Sequence, residues 1–175
     1  MKIKPFFNNS ISFGGYDTSE IVSLEYSSIC EFTPYGSFPS FKINYITYAK
    51  GCLFEPNSAK FKKFSDFMDI FSKGKKRIVE SPCEPNQHGV EIKYYDTTKT
   101  VWTTSTIECG DIVKPVHPDY SAFKYEVINA EEYITENNQR AVKVKAVFHC
   151  HLYNTRGDSL IIVDGEIQSL YFEDL

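Results

Sequence analysis

Arg140-Ala141-Val142-Lys143-Val144-Lys145-Ala146-Val147-Phe148-His149-Cys150-His151-Leu152-Tyr153 is the stretch whose alternation decides the fold. Val142, Val144, Ala146, Phe148, Cys150 and Leu152 occupy every second position, with Lys143, Lys145, Val147, His149 and His151 between them. A period of two is that of a strand, whose successive side chains leave opposite faces. The first set therefore faces a core and the second faces away from it. A slip of one residue in pairing would exchange the two, so the register is strongly specified.

The segments on either side extend this strand into a sheet. Ala122–Thr135 precedes it across the polar turn Glu136-Asn137-Asn138-Gln139, and Asn154–Gly157 turns the chain into Asp158–Val163. Asp164-Gly165 then carries the signal of a two-residue hairpin turn before Glu166–Phe172. Four strands in series with short connections predict an antiparallel meander. Glu126, Glu131 and Glu132 on its first strand can pair across the hairpin with Lys143 and Lys145.

Upstream, Glu20–Phe32 and Ser40–Ala49 read as strands, and the second has apolar groups on both faces, as an inner strand does. Residues 59–73 predict the one helix: Phe61, Phe64, Phe67, Met68 and Phe71 recur at helical spacing, Asn57 or Ser58 can cap the start, and Gly74 follows the end. The lysines around it (Lys60, Lys62, Lys63, Lys73, Lys75, Lys76, with Arg77) read as its solvated face. Arg77–Glu80 reads as a short strand and Val113–Pro118 as loop or edge. Gly89–Tyr95 and Thr100–Glu108 form a hairpin over Thr97-Thr98-Lys99. The sequence thus predicts one mostly-β domain over residues 1–175, an antiparallel β-sandwich or open barrel with the helix packed on it and the four-strand meander at its C-terminal end.

Composition agrees. Aromatic residues make up 15% of the chain, with 14 Phe and 12 Tyr, and such side chains suit a pleated, half-buried surface. The net charge of −4 supplies no field for a phosphate backbone, which argues against nucleic acid as a partner. No apolar run approaches the roughly 18 residues of a membrane-spanning helix, and the first ten residues turn polar before a signal-peptide core forms. Five cysteines without a CxxC pair read as free thiols of a reducing compartment. The expected location is cytoplasmic, although a chain whose signal had been removed would read the same way.

The run Val147–Asn154 followed by Gly157–Ile167 resembles the ending of small β-sandwich proteins common in Bacteroidetes, many of them uncharacterised lipoproteins. The resemblance spans about the last 50 residues and implies a closing series of strand, small polar turn, strand ending in a polar-Gly pair, and final strand. It implies no functional residues, and no lipobox cysteine stands near the start of this chain.

Among chemistry-bearing residues, His149 and His151 stand out, since i and i+2 on a strand share a face about 6.5–7 Å apart, a spacing that strand-borne metal sites use. If a metal binds, these are the ligands, and a third has to come from His88, His117, Asp158 or Glu166. Cys83 with His88, and Cys109 with His117, lie close in sequence but without the signature of an activated thiol. Gly14-Gly15 lacks the context of a phosphate loop. Arg156-Gly157-Asp158 reads as turn chemistry.

The reading best matched to this pattern is a non-enzymatic binding module without a cofactor, of the inhibitor or immunity type. Another protein would meet it at His149, His151, Lys143, Lys145 and Tyr153. Two alternatives remain open: a small metal-dependent or hydrolytic enzyme centred on His149 and His151, and a ligand-binding barrel with an apolar lumen.

Overall fold

A computed structural model describes residues 21–31, 39–50, 61–79, 88–105 and 120–173. Among these described residues eight strands and one helix follow in the order β1 (Ile21–Glu31), β2 (Ser40–Lys50), α1 (Phe64–Ile70), β3 (Gly74–Lys76), β4 (Gly89–Tyr95), β5 (Val101–Thr103), β6 (Lys124–Ile134), β7 (Arg140–Tyr153) and β8 (Ser159–Phe172). The protein is mostly antiparallel β. All strands belong to one sheet of order β1-β2-β4-β5-β7-β6-β3, with β8 added on the other side of β7. Every ladder between named strands is antiparallel, and the sheet is open.

The 14-residue β7 organises this sheet. One edge pairs with β8 along its length, while the other pairs with β6 up to His149 and then with β5 at Thr103↔Tyr153. That hand-over curls the sheet until its two ends face each other. Phe41 of β2 stacks on Phe148 of β7 at 5.8 Å between ring centroids, and Tyr45 of β2 meets Tyr125 of β6 and Tyr171 of β8 edge-on.

The space between is filled with rings, so the interior is a packed core. Phe67 and Phe71 of the α1 segment contact Tyr26 of β1, and Phe71 also stacks on Tyr171 at 4.7 Å. Tyr45 and Tyr125 are buried, and their hydroxyls bond each other at 2.8 Å. Such a bond removes the cost of taking two polar groups out of water. At the mouth of the β6–β7 hairpin the Arg140 guanidinium lies 3.9 Å over the Phe64 ring and 2.9 Å from Glu132, tying the helix to the sheet.

The face assignment of β7 holds, for all six residues expected to be core are buried. Phe61, Phe64, Phe67 and Phe71 are buried too, and Met68 packs against them. The helix is shorter than predicted. Phe61 stands in an isolated β-bridge instead of a helical turn, no side chain caps α1 at Lys63, and residues 51–60, with the proposed caps Asn57 and Ser58, lie outside the described residues. Lys76 reaches back to put its Nζ 3.4 Å from the Ile70 carbonyl in the last turn, the cation expected at a helix C-terminus. The strand expected at Arg77–Glu80 does not form over its described residues, where Ile78 makes a single parallel bridge to Val90; a short strand stands before it instead, at Gly74–Lys76, and Glu80 lies outside the described residues. The β4–β5 hairpin forms, but its second strand, expected over Thr100–Glu108, is Val101–Thr103, and 106–108 lie outside the described residues.

The largest correction concerns Asp164-Gly165, which makes no hairpin turn. β8 runs on through it, so the meander has three strands instead of four. Phe148↔Gly165 and Cys150↔Ile162 are both in register, leaving Val163 and Asp164 opposite His149 alone, a β-bulge. Asp164 takes the positive φ of 53° that such a bulge needs. A turn here would have left half of β7 without a partner on this edge. The bulge keeps the ladder going.

Candidate functional site

The outer face of β7 is built by the same alternation that makes its core. Lys143, Lys145, Val147, His149 and His151 emerge there in a row, flanked on β8 by Glu166, Val163 and Ile161. Ion pairs hold the lower part of this row: Lys143 lies 3.5 Å from Glu131 on β6, as expected across the hairpin, and Lys145 lies 2.8 Å from Glu166 on β8. Above them the face turns apolar. Val147, Ile161 and Val163 are 37, 54 and 60% exposed, and His149 and His151 stand among them.

The two imidazoles are neighbours, with ring centroids 6.0 Å apart. Among the described residues no third His, Cys, Asp or Glu joins them to form a metal-ligating group. Glu166 is engaged by Lys145, Asp158 accepts from Asn154 Nδ2 at 2.8 Å, and His88 sits on the Thr47 hydroxyl at 3.1 Å. Lys124 is the cross-strand partner of His149 on β6, and the bulge residues Val163 and Asp164 lie opposite it on β8. Cys83, Cys109 and His117 lie outside the described residues. Tyr153, grouped with the histidines from sequence, is buried where β7 meets β5 and offers little surface.

Further along the same side of the sheet lies a polar cluster that the sequence did not point to. Glu91 of β4 is only 1% exposed. Its Oε2 accepts from Asn44 Nδ2 at 2.7 Å and its Oε1 from Ser105 Oγ at 2.5 Å, with Lys93 Nζ at 3.4 Å. Thr103 and Ser105 hydroxyls bond each other at 2.9 Å beside it. Both carboxylate oxygens therefore accept from donors on β2, on β4 or just past β5. This arrangement locks three segments together. Read alone, Val90-Glu91-Ile92 is an ordinary alternating strand. The register Asn44↔Glu91 is the signal that identifies the pair, and it exists only once β2 and β4 are known to be neighbours.

The turn that carries Arg156-Gly157-Asp158 is held from within. Asn154 Oδ1 accepts from the Arg156 and Asp158 amides, both at 2.9 Å, and Gly157 takes a positive φ of 84°. No helix among the described residues is long and apolar enough to cross a membrane. Comparison of the chain with known protein families, characterised proteins and solved structures finds no match.

Proposed function

We propose that the protein is a non-enzymatic protein-interaction module, of the kind that inhibits or neutralises a partner, and that it binds through the outer face of β7 and β8. The observation that carries this reading is the exposed aliphatic group Val147, Ile161 and Val163, set around His149 and His151 and bordered by the Lys145–Glu166 ion pair. An apolar centre with a polar rim is the anatomy of a protein interface. The same side chains would cost nothing to replace by polar ones if the face met only water. In further support, both oxygens of Glu91 are engaged by donors from neighbouring segments, and the interior of the curl is occupied by Phe and Tyr rings.

The test is quantitative capture from the native host with wild-type protein and with Val147→Lys and Val163→Lys. A specific partner should be recovered by the wild type and reduced at least about tenfold by either variant, as expected for residues central to an interface, with unfolding midpoints unchanged. Recovery of nothing above background, or of the same partner by all three proteins, would sink the reading.

A further inference from the structure

The outer face ends at a strand edge, and that edge has the properties of a docking site. Among the described residues β8 forms a ladder only with β7. Its far end approaches β1, where Tyr26 feels the charge of Glu173, while no described residue pairs with the outer side of Ser159–Val163. This segment reads Ser159-Leu160-Ile161-Ile162-Val163, an aliphatic edge without the lysine, proline or inward charge that usually blunts one.

The direction of its backbone groups follows from the turn before it. The Asn154 amide donates to the Asp158 carbonyl at 3.1 Å. In an antiparallel ladder alternate pairs exchange the hydrogen bonds, so Leu160 and Ile162 point their N–H and C=O groups at β7, and Ser159 and Ile161 point theirs to the open side. Tyr153, partner of Ser159, correspondingly turns away from β8 and bridges to Thr103 of β5.

Charge selects the occupant. Asp158 and Asp164 bracket the segment six positions apart, and neither is ion-paired with any described residue. Glu166 beyond them is neutralised by Lys145, and Arg156 is the one cation in the preceding turn. A second copy of this chain, paired antiparallel about Ile161, would set Asp158 against Asp164 of its mate at both ends. Like charges directly opposite are destabilising. We infer that the open edge of β8 receives an extended strand of another protein, added antiparallel along Ser159–Val163, with apolar or β-branched residues in the middle and a basic residue at each end to meet Asp158 and Asp164. This rests on the interaction-module reading and assigns it a mode of binding and a partner chemistry.

The probe is an acetylated, amidated heptapeptide of alternating threonine and valine with lysine at both ends, compared with the same peptide ended by glutamate. The lysine-ended peptide should bind at least about tenfold more tightly, lose that advantage in Asp158→Asn/Asp164→Asn, and slow hydrogen exchange at the Ile161 amide. Ile161→Pro removes the outward N–H without touching the bonds to β7. It should weaken binding about tenfold, whereas Ile161→Thr, which keeps the N–H, should bind like the wild type. Equal binding of the two peptides, no binding, an unprotected Ile161 amide or indifference to Ile161→Pro each overturn the inference, as does a concentration-dependent dimer abolished by Ile161→Pro. A host partner that is lost with Val147→Lys and kept with Ile161→Pro would refute the edge mode while leaving the interaction face standing.

Discussion

The ring of Phe148 lies against the backbone of Gly165 so closely that a Cβ at 165 would stand 2.6 Å from its Cε2 and Cζ. A ring at the far end of a side chain can often swing aside, but this one is stacked between Phe41 and Tyr125 at 5.8 and 6.1 Å. Gly165→Ala should therefore cost about 1–3 kcal/mol, as overpacking does. In Phe148→Leu the same glycine change should cost less, because the two sites share the contact. Urea unfolding of the four proteins measures both, and additive effects would show that the ring yields freely.

Glu91 provides a second stability test. Glu91→Gln can still accept from Asn44 and can donate to the Ser105 hydroxyl, but it replaces two charge-assisted bonds by neutral ones, so the cost should be about 1–2 kcal/mol. Ser105→Ala removes two side-chain bonds, to Glu91 and to Thr103, and should cost about 1–3 kcal/mol. If Glu91→Gln proves as stable as the wild type, the cluster is not the lock described above.

Asp96 makes the β4–β5 turn sensitive to acid. Hydrogen bonds from the Thr98 hydroxyl, the Trp102 indole and the Thr98 and Thr100 amides hold its carboxyl below the usual 3.8, at about 2. A carboxylate whose folded pKa is depressed contributes stability that is complete above its unfolded pKa. That contribution is lost as pH falls through the folded value, here between about pH 4 and pH 2. Trp102 is the chain's single tryptophan and its Nε1 donates to Asp96 at 3.0 Å, so its fluorescence should report the step. Asp96→Asn should abolish the inflection, and its persistence would assign it to another group.

Cys150 should be inert while the protein is folded. It is a free thiol buried in the core, and burial pushes its pKa up to about 12, which leaves almost no thiolate near neutrality. Iodoacetamide at pH 8 should leave the Cys150 peptide unmodified in the native protein and label it fully in urea, read by peptide mass spectrometry. Fast labelling in the native state would mean that the β7 core opens readily.

His149 and His151 were placed on one outward face by counting residues, and the structure keeps them there, 6.0 Å apart between ring centroids. Counting could not supply what surrounds them. The aliphatic neighbours Ile161 and Val163 come from β8, and the order of strands decides that β8 lies beside β7 with no described strand on its other edge. The helix end at Phe64 was equally hidden, since the apolar spacing runs back to Phe61 without a break while a β-bridge claims that residue.

The sequence by itself determined that β7 is a strand and which of its sides is core, because a period of two is a local property that burial of one face makes unambiguous. Only the tertiary structure decided what Asp164-Gly165 does. Asp-Gly suits a hairpin turn and a positive-φ bulge equally well, and the choice falls to the 14-residue β7, which offers backbone partners to both halves of β8. The partnership of Asn44 with Glu91, 47 residues apart, was decided at the same level. Pairing between distant strands depends on closure of the whole sheet, and no single segment of the chain records it.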